Sequence, residues 1–209
     1  GDGVTNAPPA VMSAISALGG NLGYVYFPPG NYLMNSSLSL PDSTVLKGYS
    51  SDSTTLLFDY GGNNGNCINI NGATLTDTID LDEGYTKGSY WIITDSAFLI
   101  DSLNYIEILE DNGSWDDNPA QWALYAVGQI VEVERVNGDT IFLMNSLRID
   151  YDASLRPRII KFNPLVNSGV ECLKIKRLDQ AYSGDNISMN LAAYCFVRGI
   201  ESDVSVSAH

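Results

Sequence analysis

The chain has 209 residues, of which 44% are hydrophobic and 17% charged, so it holds enough apolar sequence for a core and too little charge for a disordered chain. Its formal net charge of −14 argues against nucleic-acid binding, which needs clustered basic residues, and suits an extracellular or calcium-binding surface. No run of about eighteen apolar residues occurs. We therefore expect no membrane insertion and a secreted or cell-surface location.

A short amphipathic helix is predicted near the N-terminus. Its apolar stripe consists of Val11, Ala14, Ile15 and Leu18. Asn6 or Thr5 is the expected N-cap, because either side chain can accept from the free N–H groups of the first turn. Gly19-Gly20 is the expected stop, because glycine adopts the left-handed conformation that ends many helices.

The segments around this helix carry a family resemblance. Residues 24–27 (YVYF) form a β-rich run, residues 28–30 (PPG) a turn, and residues 32–34 (YLM) a second extended run. Together with GDGVTN at residues 1–6 and LKGY at 46–49, this order resembles the N-terminal region of the pectate-lyase-like, polygalacturonase-related β-helix superfamily. That superfamily includes polysaccharide lyases and phage tailspikes. The resemblance covers residues 1–60 closely and 165–209 more loosely.

The resemblance implies an all-β fold, a right-handed single-stranded parallel β-helix with an N-terminal capping helix. We assign residues 1–75 to the cap helix and first rungs, 76–160 to an antiparallel β insertion, and 161–209 to further rungs that the chain leaves truncated. The insertion is predicted from alternating segments at 105–109 and 131–134 and from a type I′ hairpin at 136–139. Residues 170–173 superpose on 197–200 at an offset of 27 residues, which fits one turn of a solenoid.

The three cysteines, Cys67, Cys172 and Cys195, are too few and too widely spaced for a disulfide framework. We expect them to be small buried hydrophobic residues. A Cys172–Cys195 disulfide is the alternative, if the two residues stack on neighbouring rungs.

A polar loop at residues 111–122 (DNGSWDDNPAQW) allows three interpretations. It is a solvated loop, a surface on which Trp115 or Trp122 stacks against a sugar, or a catalytic or Ca²⁺ site. The candidate carboxylates for that last site are Asp111, Asp116 and Asp117.

The densest basic segment follows at residues 148–161. Its candidate substrate-binding residues are Arg148, Tyr151, Arg156 and Arg158. Arginine binds a carboxylate with two hydrogen bonds, so the segment suits a uronate-containing glycan. Pairing with the protein's own Asp and Glu residues is the alternative.

The only histidine, His209, is the last residue, so no histidine-based acid–base or zinc site lies inside the chain. We expect no complete active site within residues 1–209. The first hypothesis is the N-terminal part of a secreted glycoside hydrolase or polysaccharide lyase, with catalytic residues beyond His209. The alternatives are a non-catalytic glycan-binding, spike or adhesin module and a purely structural subunit. The expected partners are a polysaccharide and a C-terminal continuation, or a second chain, that covers the open rung end.

Overall fold

The computed structural model describes residues 1–75, 78–117, 120 and 123–207. The chain divides into two compact units. We call residues 1–72 with 164–209 the parallel unit and residues 73–163 the antiparallel unit. Across the described part of the chain, no helix has the length and apolar character needed to cross a membrane.

The α-helix and the described strands follow in chain order. They are β1 (Asp2–Asn6), α1 (Pro8–Ala17), β2 (Gly23–Phe27), β3 (Gly30–Met34), β4 (Leu38–Ser39), β5 (Thr44–Gly48), β6 (Thr54–Phe58), β7 (Ile68–Asn71), β8 (Ala73–Thr74), β9 (Ile79–Asp80), β10 (Trp91–Ile93), β11 (Tyr105–Leu109), β12 (Gly128–Asn137), β13 (Thr140–Leu143), β14 (Arg158–Asn163), β15 (Leu165–Val166), β16 (Gly169–Glu171), β17 (Lys174–Arg177), β18 (Ile187–Asn190), β19 (Ala192–Ala193), β20 (Phe196–Arg198) and β21 (Glu201–Asp203). Short 3₁₀ turns lie at Ala97–Leu99 and Ala153–Leu155.

The helix α1 is where the apolar stripe predicts it. Val11 and Ile15 are buried in the core of the parallel unit, and Leu18 packs against it partly buried. Ala14, the fourth member of the stripe, is exposed. The helix therefore attaches to the unit through two large aliphatic side chains, which a helix this short requires for stability.

The predicted N-cap is wrong. Ala7 occupies that position and makes no side-chain capping bond. Asn6 pairs with Leu33 as the last residue of β1, and its Oδ1 accepts a hydrogen bond from the Asn35 amide at 3.4 Å. Because Asn6 is part of a strand, it does not cap the helix. The stop is as expected, since Gly19 and Gly20 have φ of +60° and +80°.

Parallel strands build the first unit, in the orders β1-β3-β6-β17-β21, β2-β5-β16-β20, β4-β7-β18 and β15-β19. Gly169 pairs with Phe196 and Lys174 with Glu201, both at an offset of 27 residues. The predicted stacking of residues 170–173 on 197–200 is therefore confirmed in register.

The parallel sheets keep their register across the second unit. Ile68 of β7 pairs with Ile187 of β18, 119 residues later. Without the 91 residues of the antiparallel unit, 28 residues remain, close to the offset of 27. The strands after residue 163 thus continue the stacking that β4 and β7 began.

Alternation along these strands fills the core. In β2, Val25 and Phe27 point inward and are buried, whereas Tyr24 and Tyr26 point outward and are exposed. The fully enclosed side chains of this core include Met34, Leu38, Leu46, Leu56, Phe58, Ile68, Ile70, Val170, Leu173 and Ile175.

The antiparallel unit has the strand order β10-β13-β12-β11-β14-β8, with β9 also paired to β14. Its buried core includes Ile92, Ile106, Ile108, Val133, Ile141, Leu143, Leu147 and Ile159. The predicted hairpin joins β12 to β13 with Asn137 paired to Thr140. Of the two central residues only Gly138 has a positive φ, +59°. A type I′ turn needs positive φ at both, so that turn type is wrong, and glycine in first place is the preference of type II′.

All three cysteines are free thiols, and Cys67 is buried. The alternative Cys172–Cys195 disulfide is wrong. Cys195 stacks beside Ser168, whose amide lies 3.4 Å from its Sγ, while the Cys172 amide donates to the Arg198 carbonyl. The two thiols therefore lie on neighbouring strands but about four positions out of register, which is too far along the strand for a disulfide.

A buried ion pair fastens the loop that follows β6. The side chain of Arg177 is 1% exposed and is paired with Asp179. Its Nη1 donates to the Gly65 carbonyl and its Nη2 to the Asn63 carbonyl, both at 2.7 Å. Asp179 in turn accepts from the Tyr60 amide at 2.7 Å. One guanidinium thus joins β17 to a loop more than a hundred residues earlier.

We expect Arg177→Ala to lower the free energy of unfolding by about 3–5 kcal/mol, because it leaves Asp179 buried without its partner. Lys176→Ala is the matched control. The Lys176–Asp203 pair is 38% exposed on both sides, so its loss should cost less than about 1 kcal/mol. Urea denaturation of both variants measures the difference, and equal losses would contradict the assignment.

Candidate functional site

A cavity of about 530 Å³ opens on the antiparallel unit. It is lined by Glu107, Gly128, Gln129, Ile130, Arg148 and Ile149. These residues come from β11, from the start of β12 and from the segment after β13. We call it the Arg148 cavity.

Strand alternation aims Glu107 into this cavity. In β11, Ile106 and Ile108 face the core, so Glu107 between them faces outward. Its neighbours across the sheet are Ile130 on β12 and Ile160 on β14. The Glu107 carboxyl is half-buried and, among the described residues, has no hydrogen-bond or ion-pair partner. Burial raises the pKa of Glu107 above its ordinary value.

Gln129 holds the opposite wall in place. Its Nε2 donates to the Ser146 carbonyl at 3.1 Å, and its Oε1 accepts from the Arg148 amide at 2.8 Å. The Arg148 side chain is exposed and forms no ion pair within the described residues. The backbone of Arg148 is thus fixed while its guanidinium stays available to a ligand.

Chemically, the cavity combines a cation, a carboxyl group without a partner in the described part of the chain, and apolar walls. Ile130 is 50% exposed and Ile149 is 37% exposed, so both present aliphatic surface to whatever enters. A sugar ring has apolar C–H faces and hydroxyl edges, and such a ring can use both kinds of surface.

Two of the sequence-predicted binding residues are buried. Arg158 has a side chain 4% exposed, with its Nη2 2.6 Å from the Asp111 Oδ1 and its Nη1 donating to the Arg156 carbonyl at 2.8 Å. Its guanidinium also lies 4.6 Å from the Tyr125 ring centre. Arg158 thus pairs with an acidic residue of the protein itself, which is the alternative to glycan binding that the sequence allowed.

Tyr151 is the second buried residue. Its hydroxyl donates to the Ile108 carbonyl at 3.3 Å, and burial raises its pKa to about 12. Tyr151 therefore supports the core of the antiparallel unit and offers no surface to a glycan.

The other predicted residues are exposed or lie outside the described part. Arg156 is exposed, has a φ of +56° and lies 3.9 Å from the Asp80 carboxylate. Trp115 is 59% exposed. Trp122 and His209 lie outside the described residues. Of the predicted binding residues that the structure describes, Arg148 alone lines the cavity.

The candidate Ca²⁺ ligands are not brought together. Asp111 pairs with Arg158, and the Asp116 Oδ2 accepts from the Asn112 side chain at 2.5 Å. Over residues 1–75, 78–117, 120 and 123–207, no group of three or more His, Cys, Asp or Glu side chains is arranged to hold a metal ion. The positive charge of Arg158 already balances one of the three carboxylates.

Sequence reasoning missed Glu107 and Gln129. The alternation at residues 105–109 is the signal that Glu107 faces away from the core. The sequence carries no comparable signal that β12 would place Gln129 beside Arg148, because that neighbourhood depends on strand pairing.

The solved structures that resemble the chain include three phage tailspikes. The Gp54 tailspike of Acinetobacter baumannii bacteriophage AP22, in complex with A. baumannii capsular saccharide, has a TM-score of 0.57 at 18% identity, covering 95% of this chain and 32% of that one. The Pseudomonas phage phi297 tailspike gp61 has a TM-score of 0.63 at 14% identity, covering 92% and 30%. The tailspike protein gp49 from Pseudomonas phage LKA1 has a TM-score of 0.50 at 17% identity, covering 84% and 30%.

At these identities the likeness is one of fold, and this chain spans about a third of the length of each tailspike. No curated protein matches it. The family model described as rhamnogalacturonase A/epimerase, pectate lyase-like, matches residues 1–137, which is more than half of the chain. This match confirms the resemblance seen in the first sixty residues. The chain belongs to the rhamnogalacturonase A/epimerase, pectate lyase-like family.

Proposed function

We propose that this chain is a polysaccharide-binding module of a secreted or cell-surface β-helix protein. The observation that carries the proposal is the Arg148 cavity, where a carboxyl group and a guanidinium that have no partner among the described residues face a space of about 530 Å³. Membership of a pectate-lyase-like family supports a polysaccharide ligand. A fold relative that was solved with a capsular saccharide gives the same support.

The ligand that fits this cavity is an acidic sugar unit. Arg148 can bind a sugar carboxylate with two parallel hydrogen bonds. Glu107 can accept hydrogen bonds from the ring hydroxyls, and Ile130 and Ile149 can pack on the C–H faces of the ring. Trp115, Trp122 and Arg156 stay proposed glycan contacts of the chain, with the indoles as stacking surfaces.

Binding is favoured over hydrolysis at this cavity. A glycosidase of the usual kind needs two carboxyl groups on either side of the bond that it cleaves. Among the described residues, the cavity lining supplies one, Glu107. If the whole protein is a glycoside hydrolase or polysaccharide lyase, which is the second candidate function, its catalytic residues lie elsewhere.

For the architecture, we infer that the parallel unit is a right-handed β-helix with α1 as its cap. Successive passages of the chain each add one strand to the same parallel sheets, as a coil does. Val11 and Ile15 of α1 pack on the first passage, which supports the capping role.

We infer further that additional strands, from this polypeptide or from a partner, cover the edge formed by β20 and β21. Both strands are paired on one side, to β16 and β17. An apolar cavity of about 450 Å³ lies beside them, lined in part by Ile187, Cys195 and Ile200. Exposed strand edges next to apolar surface are normally covered in natural proteins.

We expect Arg148→Ala to weaken binding of an acidic oligosaccharide about 10- to 100-fold, because hydrogen bonds to charged groups contribute about 1.5–3 kcal/mol. Arg148→Lys should lose part of this affinity, since lysine keeps the positive charge but cannot form the two parallel hydrogen bonds of a guanidinium. Isothermal titration with oligogalacturonate measures both. Arg135→Ala is the control, because Arg135 is exposed on β12 but stacks on Phe142 away from the cavity lining. Equal affinity for wild type and Arg148→Ala would exclude the cavity as the site.

We expect Glu107→Gln to weaken glycan binding while raising stability at neutral pH. Because burial raises the pKa of Glu107 in the folded state, the ionised form costs stability as pH rises through the ordinary glutamate pKa of about 4.3. Below that pH both states are protonated and the cost vanishes. The melting temperature of the variant should therefore exceed that of wild type at pH 7 and approach it in acid. A difference that is independent of pH would contradict the unpaired state of Glu107.

A further inference from the structure

The outward face of the sheet β2-β5-β16-β20 carries a row of polar and aromatic side chains. Register places Tyr26, Lys47, Glu171 and Arg198 side by side on the four successive strands. Four strands span about 14 Å at the usual spacing of about 4.8 Å. That width is enough for a short oligosaccharide to lie across the row.

In this row, two exposed cations lie over one buried carboxylate. Glu171 has a side chain 1% exposed, with Lys47 Nζ at 2.8 Å from Oε1 and Arg198 Nη2 at 2.5 Å from Oε2. The side chains of Lys47 and Arg198 are 42% and 66% exposed. The ion pair with Lys47, together with the hydrogen bond from Arg198, holds the pKa of Glu171 below its ordinary value despite burial. Solvent therefore meets two cations fixed above a buried anion.

Aromatic rings flank the cations. Tyr24 and Tyr26 are 57% and 51% exposed on the same side of β2, and Lys47 Nζ lies 5.3 Å from the Tyr24 ring centre. On the far strand, the Arg198 guanidinium lies 4.8 Å from the Phe196 ring centre. Each of the two cations of the row thus lies beside an aromatic ring.

A second row on the same face consists of Tyr24, Val45, Gly169 and Phe196, and its glycine leaves room for an aromatic ring. A Cβ at Gly169 would come within 2.9 Å of the Phe196 ring, so any larger residue would push that ring off the sheet. Tyr24 on β2 and Phe196 on β20 therefore lie at the two ends of this second row, with Val45 and Gly169 between them.

We propose that this face, which we call the tyrosine face, is a second glycan-binding surface for a segment of acidic polysaccharide. It consists of Tyr24, Tyr26, Lys47, Glu171, Phe196 and Arg198. Tyr24 and Tyr26 stack on sugar rings, and the remaining N–H donors of Arg198 bind a sugar carboxylate. Glu171 is a positioning residue that sets the direction of both cations.

Charge complementarity selects the ligand. The three charged residues of the face sum to +1 on a chain whose net charge is −14, so the face is a locally positive area. If the row served only to fix the register of the strands, its ion pairs would be sufficient. The two exposed tyrosines beside them indicate a binding role. The proposal rests on the proposed function that the chain binds a polysaccharide, but it concerns a different unit and different residues.

The test compares variants of both surfaces in one titration series with oligogalacturonate, and with maltohexaose as the neutral sugar. The double variant Tyr24→Ala, Tyr26→Ala should bind oligogalacturonate about tenfold more weakly or worse. Arg198→Lys, which keeps the charge on Glu171 paired, should also bind more weakly. Tyr182→Ala is the control, because Tyr182 is 97% exposed and lies in a loop outside the face. Thermal melting verifies that each variant is folded.

Separate outcomes decide the two proposals. If the tyrosine-face variants lose affinity and Arg148→Ala does not, the tyrosine face is supported as a glycan-binding surface and the Arg148 cavity is excluded as one. The reverse result overturns the tyrosine face alone. Maltohexaose binding as tight as oligogalacturonate binding would overturn the acidic ligand. Wild-type dimers that the double variant abolishes, seen by light scattering with unchanged glycan affinity, would identify the face as a contact between copies instead.

Discussion

In-register stacking of parallel strands is the constraint on which the parallel unit depends. Gly169 lies on Val45 and Phe196 lies on Gly169, so a position that faces inward on one passage faces inward on the next. Inward positions are therefore mostly apolar, with Arg177 and Thr54 as buried polar exceptions, and every outward position forms a row with its neighbours. That rule buries Leu46 and Val170 in one core and places Lys47 beside Glu171 outside it, although 124 residues separate the members of each pair.

Local patterns in the sequence predicted the parts of the fold that local chemistry decides. The position of α1, the place of the hairpin between β12 and β13 and the 27-residue offset were correct, because each depends on spacing within one segment or between two similar ones. The exposure of Ala14 and the type of the hairpin turn were not predicted correctly. The N-cap failed because Asn6 pairs with a strand some thirty residues away. The site was less predictable still: Arg158 is as basic as Arg148, and only the tertiary fold decides which of the two is buried against Asp111.

A strongly acidic chain can bind an acidic glycan if its cations are grouped. At physiological ionic strength, charges more than about 8 Å apart are largely screened, so the net charge of −14 matters less to a bound sugar than the groups beside it. Most basic side chains with a described partner are tied to one acid, as Lys174 is to Glu201. Arg148 has no such partner among the described residues, and Lys47 and Arg198 share one between them.

Two glutamates show how the same side chain can serve a binding surface in opposite ways. The Glu171 carboxylate is enclosed by Lys47 and Arg198, so its pKa is lowered and its negative charge orients these two cations. Glu107 is half-buried beside Ile130, and no cation of the described residues is in contact with it, so burial raises its pKa and its charge destabilises the fold. An arrangement that costs stability is expected where a ligand completes it, since hydroxyl groups donated by a sugar would supply the hydrogen bonds that the protein withholds. A bound glycan would therefore supply the hydrogen-bond donors that the Glu107 carboxyl lacks among the described residues.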